Sequence, residues 1–123
     1  MKSIDMPLFL GIEKQCNRLV RLAGLPPIIF APMSVTNCRT AWGLVFLDAN
    51  RIEFSVRRRF KTRWGGLHLA YQITDTICHE IAHVKLNNPF HDSRFLRWHA
   101  YYLTVAARSG VHSAIEQLVS KAP

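Results

Sequence analysis

Two histidines and one glutamate in the second half of the chain have the types and the spacing of groups that hold a metal ion. They are His79, Glu80 and His83, which form the pattern H-E-x-x-H. Histidines four positions apart on a helix project from the same face, so both imidazoles can bind one ion at about 2.0 to 2.1 Å. Glu80 leaves the helix about 100° further round than His79, where its carboxylate can hold a water molecule on that ion.

This pattern predicts hydrolysis with a bound zinc ion. Zinc lowers the pKa of its bound water to about 7 and polarises a carbonyl group. A carboxylate beside the ion takes the proton from that water and passes it to the leaving amine. We therefore predict His79 and His83 as metal ligands, and Glu80 as the catalytic general base of a zinc metalloprotease that cleaves a protein or peptide substrate.

A catalytic zinc site needs a third protein ligand and leaves its fourth position for water. His91 is predicted as that ligand because it follows the helix-breaking run 87–89, after which the chain can turn back towards the metal. Asp92 is the alternative ligand. His99 lies two turns further along the next predicted helix, and we expect it to be a packing residue or a partner of a ligand.

Four other side chains receive weaker predictions. We expect His68 and His112 to be ordinary surface or capped histidines. Tyr101 or Tyr102 could donate a hydrogen bond to the oxyanion formed during peptide hydrolysis, and core packing is the alternative for both.

A short basic segment precedes the motif, and aromatic residues Phe60 and Trp64 are interleaved with it. Cations with interleaved aromatics suit a phosphate backbone whose bases stack on the rings. The formal net charge of +8 also favours polyanionic partners. The alternative is a solvated loop without a partner. The predicted DNA contacts are Arg57, Arg58, Arg59, Lys61 and Arg63.

The elements that must position these groups form an α+β pattern. Apolar residues recur at helical spacing over 4–23, and strand character follows at 28–36, 42–47 and 51–57, with a hairpin turn at 48–50. The motif helix carries the stripe Ala70, Ile73, Ile77, Ile81 and Val84, and two further helices follow it. The first is capped by Asp92 or Ser93, and the second by a capping box of Ser113 with Glu116. We predict a small three-stranded antiparallel sheet with segregated helices.

Length and composition narrow the class of protein. At 123 residues, with 49% hydrophobic and 20% charged residues, the chain is expected to form one domain over 1–123. The apolar run 6–10 is too short for a membrane span or a signal sequence. Three cysteines without CxxC spacing indicate neither a disulfide framework nor a zinc ribbon. We expect a cytoplasmic protein.

The residues around the motif resemble those of the SprT-like zinc metallopeptidases and related small gluzincin-like peptidases. The similarity lies in 77–84, which hold H-E-x-x-H, and in 91–95, which read His-Asp-Ser-Arg-Phe and match the family's H-x-x-x-F element. It extends more weakly over 15–105. The resemblance implies a minimal zincin-like fold and a protease of DNA-bound proteins, with Phe95 as a packing residue. The implied zinc ligands are His79, His83 and His91.

Two departures limit what carries over from that family. Many SprT-like proteins have a C-terminal zinc ribbon, whereas no cysteine follows Cys78 here. The longer metzincin pattern fails, because Leu86 and Pro89 stand where it needs glycine and histidine. Two other functions therefore stay open. One is a nucleic-acid-binding module with a structural or vestigial zinc site, and the other is a regulatory peptidase that cleaves a single partner.

Overall fold

The computed structural model describes residues 5–33, 42–56 and 66–121, and in the last range it describes side chains from residue 69 onward. Within these ranges four helices and three strands form an α+β arrangement, as predicted. In chain order the elements are helix α1 (Met6–Leu22), strands β1 (Ile29–Pro32), β2 (Gly43–Phe46) and β3 (Arg51–Phe54), and helices α2 (Gly66–Leu86), α3 (Ser93–Arg108) and α4 (Val111–Lys121).

Helix α1 begins at a side-chain cap and buries one apolar stripe. The Asp5 carboxylate accepts a hydrogen bond from the backbone N–H of Leu8 at 3.1 Å, which satisfies one of the unpaired donors at a helix start. Gly24 adopts a left-handed φ of 70°, which ends the helix. The predicted stripe is buried at Leu8, Ile12, Cys16 and Leu19.

The sheet is mixed, so the prediction of an antiparallel sheet was wrong in one strand. Strand β3 lies in the centre, with β2 antiparallel on one side and β1 parallel on the other. The turn at Leu47–Ala49, with Asn50 at a φ of 47°, forces β2 and β3 to run in opposite directions. No such short connection constrains β1. Pro32 lies on this edge strand, as expected of a residue without an N–H.

Helix α2 lies in the middle of the molecule and packs against the sheet, α3 and α4. Its predicted stripe is buried at four positions, and burial stabilises this helix despite its β-branched residues. The buried stripe residues are Ala70, Ile73, Ile77 and Ile81. The sequence pattern predicts His68 before the motif helix, but this helix begins at Gly66, so His68 lies in its first turn.

Helices α3 and α4 form where predicted, with two corrections. Asp92 caps α3 by accepting from the backbone N–H of Phe95 at 3.0 Å. The apolar spacing of this helix predicts Leu96 on its core face with Phe95 and Tyr102, but Leu96 is 60% exposed. Helix α4 begins at Val111, so Ser113 lies inside it and forms no capping box. The Ser109 hydroxyl instead accepts from the backbone N–H of Val111 at 3.3 Å.

All four helices and strands β1 and β3 contribute buried residues to one apolar core. Among the described residues, no helix is both long and apolar enough to cross a membrane.

Candidate metal centre

Three imidazoles converge on one point at the C-terminal half of α2. The Nε2 atom of His83 lies 3.3 Å from that of His79 and 3.2 Å from that of His91. The third side of the triangle, between His91 and His79, is also 3.2 Å. Three histidines separated by up to 12 positions in sequence therefore lie close enough to bind a single metal ion.

The size of this triangle fits a small tetrahedral ion. Ligand nitrogens at about 2.0 to 2.1 Å from such an ion must be about 3.3 to 3.4 Å apart. The observed separations of 3.2 to 3.3 Å match this requirement. Asp92, the alternative ligand, is not part of the cluster within the described residues. Its carboxylate accepts the helix-capping bond from Phe95 and lies 3.7 Å from the Arg94 guanidinium.

The tautomer of His83 is set by a bond on the far side of its ring. Its Nδ1 lies 3.0 Å from the main-chain oxygen of Asn88, and a carbonyl can only accept. The proton therefore lies on Nδ1, which leaves the lone pair of Nε2 directed into the triangle. Hydrogen bonds of this kind orient a metal-binding histidine and raise its basicity.

The turn that brings His91 back to α2 is a Schellman motif. The backbone N–H of Asn87 donates to the carbonyl of Val84 at 3.2 Å, and that of Asn88 donates to the carbonyl of His83 at 3.3 Å. Asn87 adopts a left-handed φ of 53°, which asparagine tolerates better than most residues. The Asn88 side chain then accepts from the backbone N–H of Phe90 at 3.0 Å, one residue before His91.

Phe95 forms the floor of the triangle. Its ring stacks on His83 with centroids 4.5 Å apart and meets His79 and His91 edge-on at 4.8 Å. Phe95 is only 2% exposed, so the ring shields one side of all three imidazoles from water. The packing role that the family resemblance implied for this residue agrees with these contacts.

Burial favours the neutral, metal-binding form of two of the three imidazoles, those of His79 and His83. Burial, followed by the neighbouring histidine rings, lowers the pKa of His79 to about 4. The pKa of His83 is also lowered, first by burial. Cys78 precedes His79 but lies in the core, and burial raises the pKa of its thiol to about 12. It therefore stays a neutral packing residue.

Glu80 lies beside the triangle without belonging to it. Its Oε1 is 3.6 Å from Nε2 of His79, and the residue is only 6% exposed. Burial raises the pKa of the carboxyl group to about 7. Glu80 also lines a cleft of about 250 Å³ that opens next to His79. The described residues that line this cleft are Trp42, Gly43, Gln72, Asp75, Thr76, His79 and Glu80.

His99 lies beside the triangle, where it contacts both Asp75 and His79. Its Nε2 lies 3.0 Å from Oδ1 of Asp75, and its ring meets that of His79 edge-on with centroids 5.4 Å apart. Sequence reasoning missed Asp75, although a residue four positions before His79 on a helix shares its face. It also missed Trp42 and Gly43, for which no local signal exists.

The other predicted residues lie elsewhere. His112 is half-buried, and its Nδ1 is 2.7 Å from the Thr74 hydroxyl, so it tethers α4 to α2. Tyr101 and Tyr102 line a second groove and not the cleft beside Glu80, which leaves the predicted oxyanion role without a contact. The side chain of His68 and the basic segment, Arg57, Arg58, Arg59, Lys61 and Arg63, lie outside what the structure describes.

A scan against protein-family models found no match to this chain, and searches of curated proteins and of solved structures found no significant match.

Proposed function

We propose that this protein is a zinc-dependent metallopeptidase that hydrolyses peptide bonds. One observation carries the proposal: three histidine nitrogens 3.2 to 3.3 Å apart lie next to a buried carboxylate that lines an open cleft. A purely structural zinc site is usually closed by a fourth protein ligand. Among the described residues no fourth side chain joins the three histidines.

The ligand set favours zinc, since three imidazoles suit a tetrahedral ion with one open position. Bound at His79, His83 and His91, the ion would polarise a substrate carbonyl and acidify a water molecule. Glu80 accepts the proton at its carboxylate, where burial already favours the protonated form, and returns it to the leaving amine. Asn88 and Phe95 hold the histidine rings in place throughout.

The sheet beside the cleft supports a peptide substrate. Gly43 at the start of β2 lines the cleft, and in the described part of the chain β2 has a hydrogen-bonded neighbour on one side only. An extended peptide can pair with such an edge through its main chain. That pairing would place a peptide bond of the substrate next to Glu80 and His79.

Replacing Glu80 tests the mechanism. The Glu80→Gln variant should retain one zinc ion per chain, because the three histidines are untouched, and should lose peptidase activity by about 10² to 10⁴-fold. Zinc content is measured by inductively coupled plasma mass spectrometry, and activity by cleavage of an unfolded protein substrate. Glu13→Gln on α1 is the matched control for the charge change. Full activity of Glu80→Gln would refute the mechanism.

Replacing His91 tests the ligand set. The His91→Ala variant should lose its zinc and its activity together, because two histidines hold zinc much more weakly than three. His112→Asn is the matched control, since it removes an imidazole outside the triangle. A His91→Ala variant that still holds one zinc as tightly as the wild type would exclude His91 as a ligand.

We further propose that proteins bound to DNA are substrates, because the motif region resembles SprT-like peptidases and a basic segment precedes it. Replacing the five basic residues at 57–59, 61 and 63 with glutamine should leave cleavage of free peptides unchanged. Cleavage of a protein tethered to DNA should fall and lose its salt dependence. A zinc-loaded wild-type chain that binds DNA but cleaves neither substrate would favour the nucleic-acid-binding module instead.

A further inference from the structure

A second groove lies between the C-terminal end of α1, the end of α2 and one face of α3. Its volume is about 690 Å³, within the range of about 300 to 1,000 Å³ that is usual for small-molecule sites. It shares no lining residue with the cleft beside Glu80. Three cations and three aromatic residues dominate its lining: Lys85, Arg94, Arg97, Trp98, Tyr101 and Tyr102.

Two of the three cations of this groove, Lys85 and Arg97, have no acidic partner among the residues that the structure describes. No acidic side chain among the described residues lines the groove. Only Arg94 has an acidic neighbour, Asp92 at 3.7 Å, and within the described ranges neither Lys85 nor Arg97 forms an ion pair. Arg94 also lies in the first turn of α3, where the helix dipole disfavours positive charge. Such an arrangement is stabilised by an anion in the groove.

The aromatic residues provide an apolar wall next to these cations. Trp98 stacks on Tyr102 with centroids 5.7 Å apart, and the Lys85 ammonium lies 4.8 Å from the centre of the Trp98 ring. Tyr101 stands at 90° to Trp98 and is 49% exposed, although it belongs to this packed cluster. An exposed ring that packs edge-on against two other aromatic rings, beside guanidinium groups, is suited to stacking on a planar ligand.

We propose that this groove binds a nucleotide unit, with its phosphate on Arg94 and Arg97 and its base stacked on Tyr101. Guanidinium groups recognise phosphate through paired N–H donors, and base stacking on an aromatic ring tolerates any base. The net charge of +8 favours the approach of such an anion. A free nucleotide and a single strand of nucleic acid present the same chemistry. The inference does not depend on peptidase activity.

The test measures binding of two fluorescent probes to the zinc-loaded chain. One is 2-aminopurine riboside monophosphate, and the other is a short single-stranded oligodeoxynucleotide with a central 2-aminopurine. Stacking quenches 2-aminopurine, so wild type should quench at least one probe. Equal affinity for both probes identifies a free nucleotide as the source. Tighter, more salt-dependent binding of the oligonucleotide identifies a strand.

Substitutions locate the site. Arg94→Gln with Arg97→Gln should weaken binding by about tenfold or more and reduce the salt slope for the oligonucleotide by about 1.4. Tyr101→Leu should weaken binding by about fivefold to 100-fold and abolish quenching. Arg108→Gln with Lys121→Gln removes the same charge from exposed helix ends and should change affinity by less than about twofold. Each variant should keep its zinc and its thermal midpoint.

Three results would overturn the proposal. The first is an unchanged nucleotide affinity of the Arg94 and Arg97 variant. This variant is measured in the wild-type chain and in a chain whose basic segment 57–63 has been neutralised, because binding by that segment could mask the loss. The second is an equal loss in the Arg108 and Lys121 control, which would indicate non-specific charge attraction. The third is tighter binding of a phosphotyrosine peptide than of either nucleotide probe.

Discussion

Glu80 is buried and lies next to a histidine of the triangle. When no metal is bound, its ionised carboxylate should lower the free energy of unfolding by a measurable amount. Its pKa is raised to about 7 by burial, whereas the pKa of a glutamate in the unfolded chain is near 4.5. A carboxyl group with a raised folded pKa stabilises the fold below its unfolded pKa, and this contribution is lost as the pH rises through the folded value. The pH window for Glu80 is therefore about 4.5 to 7.

We predict that metal-free Glu80→Gln is more stable than the metal-free wild type at about pH 8, by about 1 to 3 kcal/mol, because glutamine mimics the protonated carboxyl group. The difference should be small near pH 4.5 and vanish below it, where the folded and unfolded states of the wild type both hold the proton. Urea denaturation in the presence of a chelator at these two pH values measures it. A pH-independent difference would show that burial of the charge is not its origin.

The pH dependence of stability that His79 contributes has the opposite sign to that of Glu80. Its pKa of about 4 lies below the unfolded value of 6.5, first because of burial. The stability that this neutral imidazole contributes is present above about pH 6.5 and is lost as the pH falls towards 4. The two residues therefore oppose each other between about pH 4.5 and 6.5. Glu80→Gln should leave the histidine effect visible, as a steeper loss of stability on acidification.

At the scale of elements, the contact between β2 and α2 shapes the cleft. A Cβ atom added at Gly43 would collide with the Cγ2 methyl group of Thr76 and would lie only 3.5 Å from Cγ of Glu80. The added atom would also lie 3.3 Å from the backbone oxygen of Glu53 on β3, which is a tight contact. Both the helix and the neighbouring strand therefore leave little room for a side chain at position 43. Glycine at position 43 lets β2 approach Glu80 closely.

We predict that Gly43→Ala destabilises the protein by about 1 to 3 kcal/mol, as overpacking does elsewhere. Thr76→Ser removes the colliding methyl group and should be nearly neutral alone. In the double variant it should recover most of the loss, which gives a strongly non-additive cycle. Urea denaturation of the four proteins measures the coupling. Additive effects would mean that Thr76 is not the obstacle.

The α2–α3 turn is the second element on which the site depends. Its left-handed residue, Asn87, precedes Asn88, whose carbonyl orients His83 and whose side chain holds the backbone just before His91. The positions of two histidines of the triangle therefore depend on one backbone conformation.

We predict that Asn87→Gly keeps zinc affinity and stability close to wild type, because glycine adopts a positive φ without strain. Asn87→Val should cost about 1 to 2 kcal/mol of stability, since a β-branched residue is poorly tolerated there. It should also weaken zinc binding by about 10 to 100-fold through the displaced Asn88 carbonyl. Competition with a zinc-sensitive dye measures the affinity. Equal zinc affinity of the two variants would show that the conformation of the turn does not affect zinc binding.

At the scale of the whole molecule, the histidine triangle and its supporting ring draw on two helices and the turn between them. His79 and His83 belong to α2, His91 lies in the turn, and Phe95 of α3 supports all three rings. Because α2 also packs against the sheet and α4, the site rests on the most central helix. A bound ion should therefore stabilise the fold as a whole.

We predict that zinc at about 100 times its dissociation constant stabilises the chain by about 2.7 kcal/mol, seen as a higher thermal midpoint. A chelator should reverse the shift. His91→Ala should show no zinc-dependent shift, whereas His112→Asn should show the full one relative to its own metal-free state. Differential scanning fluorimetry measures the thermal midpoints of the wild type and of both variants, with zinc and with the chelator. A full shift in His91→Ala would place the stabilising ion elsewhere.

Local sequence signals were sufficient for the helices, the buried stripes and the identity of the three clustered histidines. The periodicity of 3.6 residues places His79 and His83 on one face whatever surrounds them, and the breakers at 87–89 oblige the chain to turn before His91. Capping by Asp92 is equally local, because an asparagine or aspartate side chain bonds to the backbone of its own helix start.

Only the tertiary structure decided the direction of β1, the exposure of Leu96 and the close approach of Gly43 to Thr76. Each depends on residues far apart in sequence, whose separation no local pattern records. The Asn88 carbonyl that orients His83 belongs to the same class, since every residue has a carbonyl and only the folded turn selects this one. Metal-ligand candidates can be found by spacing, whereas their orientation and the groove on α3 arise from how the helices pack.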